Sequence, residues 1–138
     1  MTRDGAQRKI LVVEDNGALR RLMLRILAGC GYAVLEAATG AEALELFQQH
    51  GTVDLAIIDM VMPGMSGLDV AAEIERQQSG TTILYVTAHA SSVAIDSISR
   101  RTPDHVLLKP FDAADLIDRV AQLLQPQGPQ PSPVPDGG

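Results

Sequence analysis

The sequence predicts an α/β domain, a doubly wound sheet of five parallel strands accompanied by five helices. Three observations carry that expectation. Apolar runs of strand length recur five times, and segments with apolar residues at helical spacing separate them. The central run, Leu55-Ala56-Ile57-Ile58, is continuous rather than alternating, as in a strand buried on both faces of a parallel sheet. Regular alternation of strand and helix implies parallel pairing through right-handed crossovers.

The elements follow in order. Residues 1–8 read as a flexible leader. Lys9-Ile10-Leu11-Val12-Val13 is the first strand and ends on the acidic pair Glu14-Asp15. Asn16 is placed to N-cap the first helix, where Leu19, Leu22, Met23, Ile26 and Leu27 share one face. Arg20, Arg21 and Arg25 lie off that face, and Gly29 and Gly31 stop the helix. Residues 32–37 form a shorter second strand. Thr39-Gly40-Ala41-Glu42 opens the second helix with a capping-box pattern, with Ala43, Leu44 and Phe47 inward as far as about His50. The third strand runs into Asp59, and a turn rich in proline and glycine follows at once. Residues 67–78 make the third helix, with Leu68, Ala71, Ala72 and Ile74 as its apolar positions. The fourth strand covers 82–86 and ends at Thr87-Ala88. Residues 91–100 must be helical to keep the alternation, although serines and β-branched residues make a weak helix former. The fifth strand, 105–108, ends at Lys109-Pro110. The last helix, 112–125, places Leu116, Val120, Leu123 and Leu124 on one face. From residue 126 to 138 the composition turns to Pro, Gln, Gly and Ser, an extended tail.

Composition sets the bounds. With 138 residues, 46% hydrophobic and 20% charged, the chain is one globular domain, residues 9–125, with a core of its own. Aromatic residues make up only 3%, so that core is aliphatic. A net charge of −6 argues against direct nucleic-acid binding, which needs a basic surface. No apolar run approaches a membrane span, and residues 1–9 are too polar for a signal peptide, so a cytoplasmic protein without membrane insertion is expected. A single cysteine excludes an internal disulfide and fits a reducing compartment. Cys30, late in an apolar helix, reads as a small core residue.

The polar residues at strand ends carry the chemistry. Glu14 and Asp15 end the first strand, Asp59 the third, Thr87 the fourth and Lys109 the fifth. A parallel sheet brings all five to one edge, the edge where open α/β sheets bind their ligands. Taken singly, each has an ordinary explanation as a cap, a turn residue or a surface charge. Taken together they form a set. Three carboxylates in one pocket repel each other, and a divalent cation resolves this; an all-oxygen set suits Mg²⁺, with Mn²⁺ as a substitute. Such a cation bridges to a phosphoryl group, with Lys109 as a fixed positive charge and Thr87 as a donor. A carboxylate can itself be the nucleophile, and Asp59, at the mouth of the most buried strand, is the candidate acceptor.

With Val12-Val13-Glu14-Asp15, Asp59, Met62-Pro63-Gly64-Met65-Ser66-Gly67, Thr87-Ala88 and Lys109-Pro110-Phe111 in place, the chain resembles the receiver domains of two-component response regulators over roughly residues 9–124. The resemblance implies the flavodoxin-like strand order 2-1-3-4-5. It implies that Asp59 takes a phosphoryl group from a histidine of a sensor kinase or phosphotransfer protein, in a phosphorelay rather than as an enzyme with turnover. Mg²⁺ would be held by Asp15, Asp59 and the backbone carbonyl of Val61, with Glu14 acting mainly through water. Thr87 and Lys109 would contact phosphoryl oxygens, and the Lys109–Pro110 bond would be cis. Phosphorylation would switch a surface made of helix 4, strand 5 and helix 5 toward a downstream protein, and the arginine side of helix 1 lies where kinases dock. The family usually has an aromatic residue at position 106, where this chain has valine. Val61 and His89 stand where side chains tune the lifetime of the phosphoryl group.

Three alternatives stand beside this reading. One is a degenerate receiver used only for docking, which the complete acidic, threonine and lysine set disfavours. Another is a Mg²⁺-dependent aspartyl-phosphate phosphatase, which would want a second acid where Val61 stands. The third, a flavodoxin-like flavin site, would want a Ser/Thr-rich loop where Glu14-Asp15-Asn16-Gly17 stands. No output domain follows residue 125, which suits either a stand-alone receiver or a receiver cut from a hybrid histidine kinase.

Overall fold

The structure is a computed structural model, and it describes residues 7–77, 80–88 and 93–124. Strand β1 (Lys9–Val13) leads into helix α1 (Gly17–Gly29), and β2 (Ala33–Ala37) into α2 (Gly40–His50). Then come β3 (Leu55–Asp59), α3 (Gly67–Gln77), β4 (Thr82–Thr87), α4 (Val93–Arg101), β5 (Val106–Leu108) and α5 (Ala113–Leu123). All strand pairs are parallel, in the order β2-β1-β3-β4-β5. The doubly wound sheet expected from the sequence is therefore the one formed.

Alternation along the strands sorts the core into two layers. Leu11, Val13, Ala56, Ile58 and Ile83 face one way and pack with Ala43 and Phe47 of α2 and Val70, Ala71 and Ile74 of α3. Ile10, Val12, Leu55, Ile57, Leu84 and Val86 face the other way and meet Met23 and Leu27 of α1 and Leu116 and Val120 of α5. Every residue of β3 is buried, because helices cover both its faces. A small third cluster, Met60, Ile95 and Val106 with Tyr85 and Ile98 against it, holds α4 to the sheet.

The caps behave as the local sequence demands. Asn16 accepts a hydrogen bond from the Leu19 N–H, and Thr39 from the Glu42 N–H while Glu42 reaches back to the Ala38 N–H. Asp112 and Asp115 form a reciprocal capping box, so α5 begins at Ala113 with Asp112 as its cap. Gly31 takes a φ of 97° just past α1, a conformation that costs glycine little.

Some expectations are corrected. Leu22, assigned to the buried face of α1, is 51% exposed. At 100° per residue it lies about 120° from the direction midway between Met23 and Leu27, the true inward axis. Leu68 and Ala72 are likewise exposed, because the inward axis of α3 runs through Val70, Ala71 and Ile74. Cys30 is exposed, since it is the C-cap of α1 and stands beyond the last packed turn. His105 precedes β5 in a single 3₁₀ turn, and its Nδ1 donates to the Ile83 carbonyl at 2.7 Å. Gln78, His89, Ser91, Ser92, Gln125, residues 1–6 of the expected leader and the whole expected tail, 126–138, lie outside the described residues. Gln7 and Arg8 belong to the described part, where the Arg8 carbonyl accepts from the Ala33 N–H at 2.9 Å.

Candidate functional site

The C-terminal ends of β1, β3, β4 and β5 deliver the polar residues to one edge. The Glu14 N–H extends the β1–β2 ladder by donating to the Ala37 carbonyl at 3.0 Å, so the acid leaves the sheet with its direction set. Its side chain turns inward and is 2% exposed. Oε2 accepts from the Asn16 N–H at 3.1 Å, and Oε1 lies 3.1 Å from Lys109 Nζ. Asp15, the next residue, opens to solvent. Asp59 ends β3 opposite Val86 and is 5% exposed. Its Oδ1 accepts from the Val61 N–H at 3.1 Å, and its Oδ2 lies 3.4 Å from Lys109 Nζ.

Glu14, Asp15 and Asp59 each present one carboxylate oxygen, and these oxygens lie within 4.8 Å of one another. Lys109 bridges two of the three. Its position follows from the backbone, because the Lys109 N–H donates to the Thr87 carbonyl at 2.8 Å. The Lys109–Pro110 bond is cis. Thr87 closes β4 beside Leu108 of β5 and is buried. Topology thus brings the five strand-end residues to one edge, as the sequence pattern implies.

The electrostatics of this group are unbalanced. Burial raises the pKa of Glu14, and the Asp59 charge adds to it, against the hydrogen bonds from Asn16 and Lys109. Burial pulls Lys109 down, but its hydrogen bond and charge pairing with Glu14, then Asp59, outweigh this and leave its pKa raised. Three carboxylates against one ammonium leave the cluster net negative. Because the folded pKa of Glu14 is above that of the unfolded chain, its ionised form is disfavoured by folding. The folded state binds the extra proton more tightly, so stability falls as pH rises from 4.5 through the raised value. Glu14→Gln removes the charge and keeps one acceptor oxygen where the wild type has two, for Lys109 and the Asn16 N–H. In metal-free buffer its thermal midpoint should rise relative to that of the wild type as pH increases from below 4.5 to 7. A midpoint difference that stays constant over that range would contradict the charge imbalance.

The donor set fits a divalent cation of the hard type. It is all oxygen and anionic, two of its acids are almost wholly buried, and the third, Asp15, faces the solvent from which such an ion arrives. Two contributions escaped the sequence reading because they come from groups without a motif. One is the Val61 main-chain N–H, which holds the Asp59 carboxylate while the Val61 side chain stays 60% exposed. The other is Arg20, whose Nη1 donates to the Glu14 carbonyl at 2.9 Å. Val106 is buried beside its cross-strand neighbour Tyr85, so the ring in this cluster comes from β4.

Comparison with known proteins agrees with this geometry. The family model for the response regulator receiver domain matches residues 10–121. The sensor kinase CckA of Brucella abortus is 33% identical over 119 residues, covering 86% of this chain and 13% of that protein. The transcriptional regulatory protein YrkP of Bacillus subtilis is 38% identical over 116 residues, covering 83% of this chain and 49% of that protein. The chain therefore spans half or less of the length of these two curated relatives. Among solved structures, the chemotaxis protein CheY4 of Vibrio cholerae superposes with a TM-score of 0.76 at 29% identity, over 86% of this chain and 100% of that one. Sheet order, strand-end acids and a family match over residues 10–121 lead to one assignment: the chain belongs to the response regulator receiver domain family.

Proposed function

We propose that this domain, residues 9–125, is a phosphoacceptor in a phosphorelay, with Asp59 as the acceptor. The observation that carries the reading is the convergence of three carboxylates within 4.8 Å with Lys109 spanning Glu14 and Asp59. An oxygen of Asp59 attacks the phosphorus of a phosphohistidine on a sensor kinase or phosphotransfer protein. The Oδ–P bond forms as the P–N bond breaks, and the histidine leaves with the electron pair and takes up a proton.

Each residue has a part. The Val61 N–H and Lys109 hold the Asp59 carboxylate at the β3 end, which presents it in one orientation to the donor. Lys109 offers its ammonium to a phosphoryl oxygen, and Thr87 offers its hydroxyl from the end of β4. Asp15 and Asp59, with the Val61 carbonyl and with Glu14 through water, would hold Mg²⁺ or Mn²⁺. When bound, that ion neutralises phosphoryl charge. Val61, standing two residues past the acceptor, supplies no second acid, which weighs against the phosphatase alternative.

The same reading gives the output. Thr87 drawn toward the phosphoryl group would bias α4, which is held to the sheet through the Ile95 and Val106 cluster, and with it the face of α4, β5 and α5 that meets a downstream protein. No helix of the described residues is long and apolar enough to cross a membrane, and a cytoplasmic site of action fits a kinase partner.

Intact mass after incubation with acetyl phosphate, with Mg²⁺ or with a chelator, tests the acceptor chemistry. The expected result is a gain of one phosphoryl group with Mg²⁺ and none with the chelator. No gain from a folded, Mg²⁺-bound chain would overturn the proposal and favour a docking module.

A further inference from the structure

Arg20 differs from the other two arginines of α1. Arg21 and Arg25 are exposed, whereas the Arg20 side chain is only 17% exposed and folds back across the β1–α1 loop. Its guanidinium serves two acceptors on different strands' ends. Nη1 donates to the main-chain carbonyl of Glu14 at 2.9 Å, and Nε donates to Oε1 of Glu36 at 2.8 Å. Glu36 lies next to the last residue of β2, opposite Val12 in the ladder.

We infer that Arg20 is a positioning residue for the acidic group, fixing the peptide between Glu14 and Asp15 and thereby the affinity for the divalent cation. This rests on the metal-binding reading above. The carbonyl that Arg20 holds belongs to the peptide that joins the two acids, so its orientation sets the direction in which Asp15 leaves the chain. Asp15 needs such an outside constraint. Glu14 is fixed by burial, by its ladder hydrogen bond and by Lys109, and Asp59 by the Val61 N–H and Lys109. Asp15 is exposed, and neither ion pair of Lys109 reaches it.

Charge alone is a poor account of Arg20. Glu36 balances the guanidinium at 2.8 Å, so the pair presents little net field to the carboxylates. What remains is geometry. A planar guanidinium holds two divergent acceptors at once, whereas a lysine ammonium is a point charge on a flexible stem and keeps one at best. Groups that orient metal ligands from behind typically contribute tenfold or more to metal affinity.

Calorimetric titration of the full chain with Mg²⁺ alone, below the thermal transition, tests this for the wild type, Arg20→Ala, Arg20→Lys and Glu36→Gln. Arg20→Ala should weaken Mg²⁺ binding by about tenfold. Arg20→Lys should recover less than half of that loss on a logarithmic scale. Glu36→Gln, whose amide oxygen still accepts from Nε, should stay within about twofold of the wild type, because Nη1 keeps the Glu14 carbonyl. Wild-type affinity in Arg20→Ala, or full recovery by lysine, would overturn the positioning role while leaving the acceptor proposal intact. Should Arg20→Ala not fold, Arg20→Lys decides alone, and wild-type affinity there overturns the inference. Absence of Mg²⁺ binding by the wild type would overturn both.

Discussion

Asp59→Asn is expected to abolish phosphoryl incorporation, with intact mass unchanged after an acetyl phosphate incubation that labels the wild type. The substitution is nearly isosteric. The side-chain oxygen of the introduced amide can still accept from the Val61 N–H, which in the wild type binds Asp59 Oδ1 at 3.1 Å, so the β3 end should keep its shape. What is lost is the nucleophile, because an amide oxygen carries little of the charge that a carboxylate oxygen brings to phosphorus. Removing a covalent nucleophile costs several powers of ten in rate, and at least about 10³ is expected here. The same variant relieves repulsion, since the Asp59 charge is one of the causes that raise the Glu14 pKa. Folding in metal-free buffer should therefore be unharmed or improved at pH 7. A variant that still gained one phosphoryl group would place the acceptor elsewhere and end the assignment to Asp59.

Gly67→Ala is expected to damage fold and site together. Gly67 opens α3 directly beneath the β3 end, where its N–H donates to the Met60 carbonyl at 3.2 Å. A Cβ there would fall against the Asp59 carbonyl oxygen and 2.8 Å from Met60 Cα. Both are backbone, so no flexible side chain can yield, and α3 or the acceptor strand must shift. Overpacking of this kind costs about 3 kcal/mol, which in a domain of this size lowers the thermal midpoint by roughly 10 °C. Displacing Asp59 by even 1 Å would slow phosphorylation by about 10². Gly29→Ala is the control. Nothing lies within 4 Å of its added methyl, and helix propensity favours alanine by up to about 1 kcal/mol. Melting curves and initial phosphorylation rates for the two variants measure this contrast. A Gly67→Ala midpoint equal to the wild type would show that the α3–β3 contact has slack.

The sequence by itself determined the order of elements, the strand that lies at the centre and the five residues that end strands. Each of these depends on local period and turn chemistry. Four unbroken apolar residues before Asp59 can sit only where both faces are covered, and the structure buries every residue of β3. Because parallel strands end on one edge, Glu14, Asp15, Asp59, Thr87 and Lys109 had to emerge together once the fold was parallel.

Tertiary structure decided the rest. Period alone leaves the inward axis of a helix uncertain by a residue, which is why Leu22 and Leu68 are exposed while Met23 and Val70 are buried. Only the crossing of loops shows that Lys109 reaches Glu14 at 3.1 Å as well as Asp59 at 3.4 Å. Main-chain groups such as the Val61 N–H carry no side-chain signature. Arg20 could not be told from Arg21 and Arg25 until the fold placed its guanidinium between the Glu14 carbonyl and Glu36. The physical reason is the same throughout. Hydrophobic period and capping act within a few residues, whereas hydrogen bonds and ion pairs at the site join residues from separate strands, at distances that only the closed sheet sets.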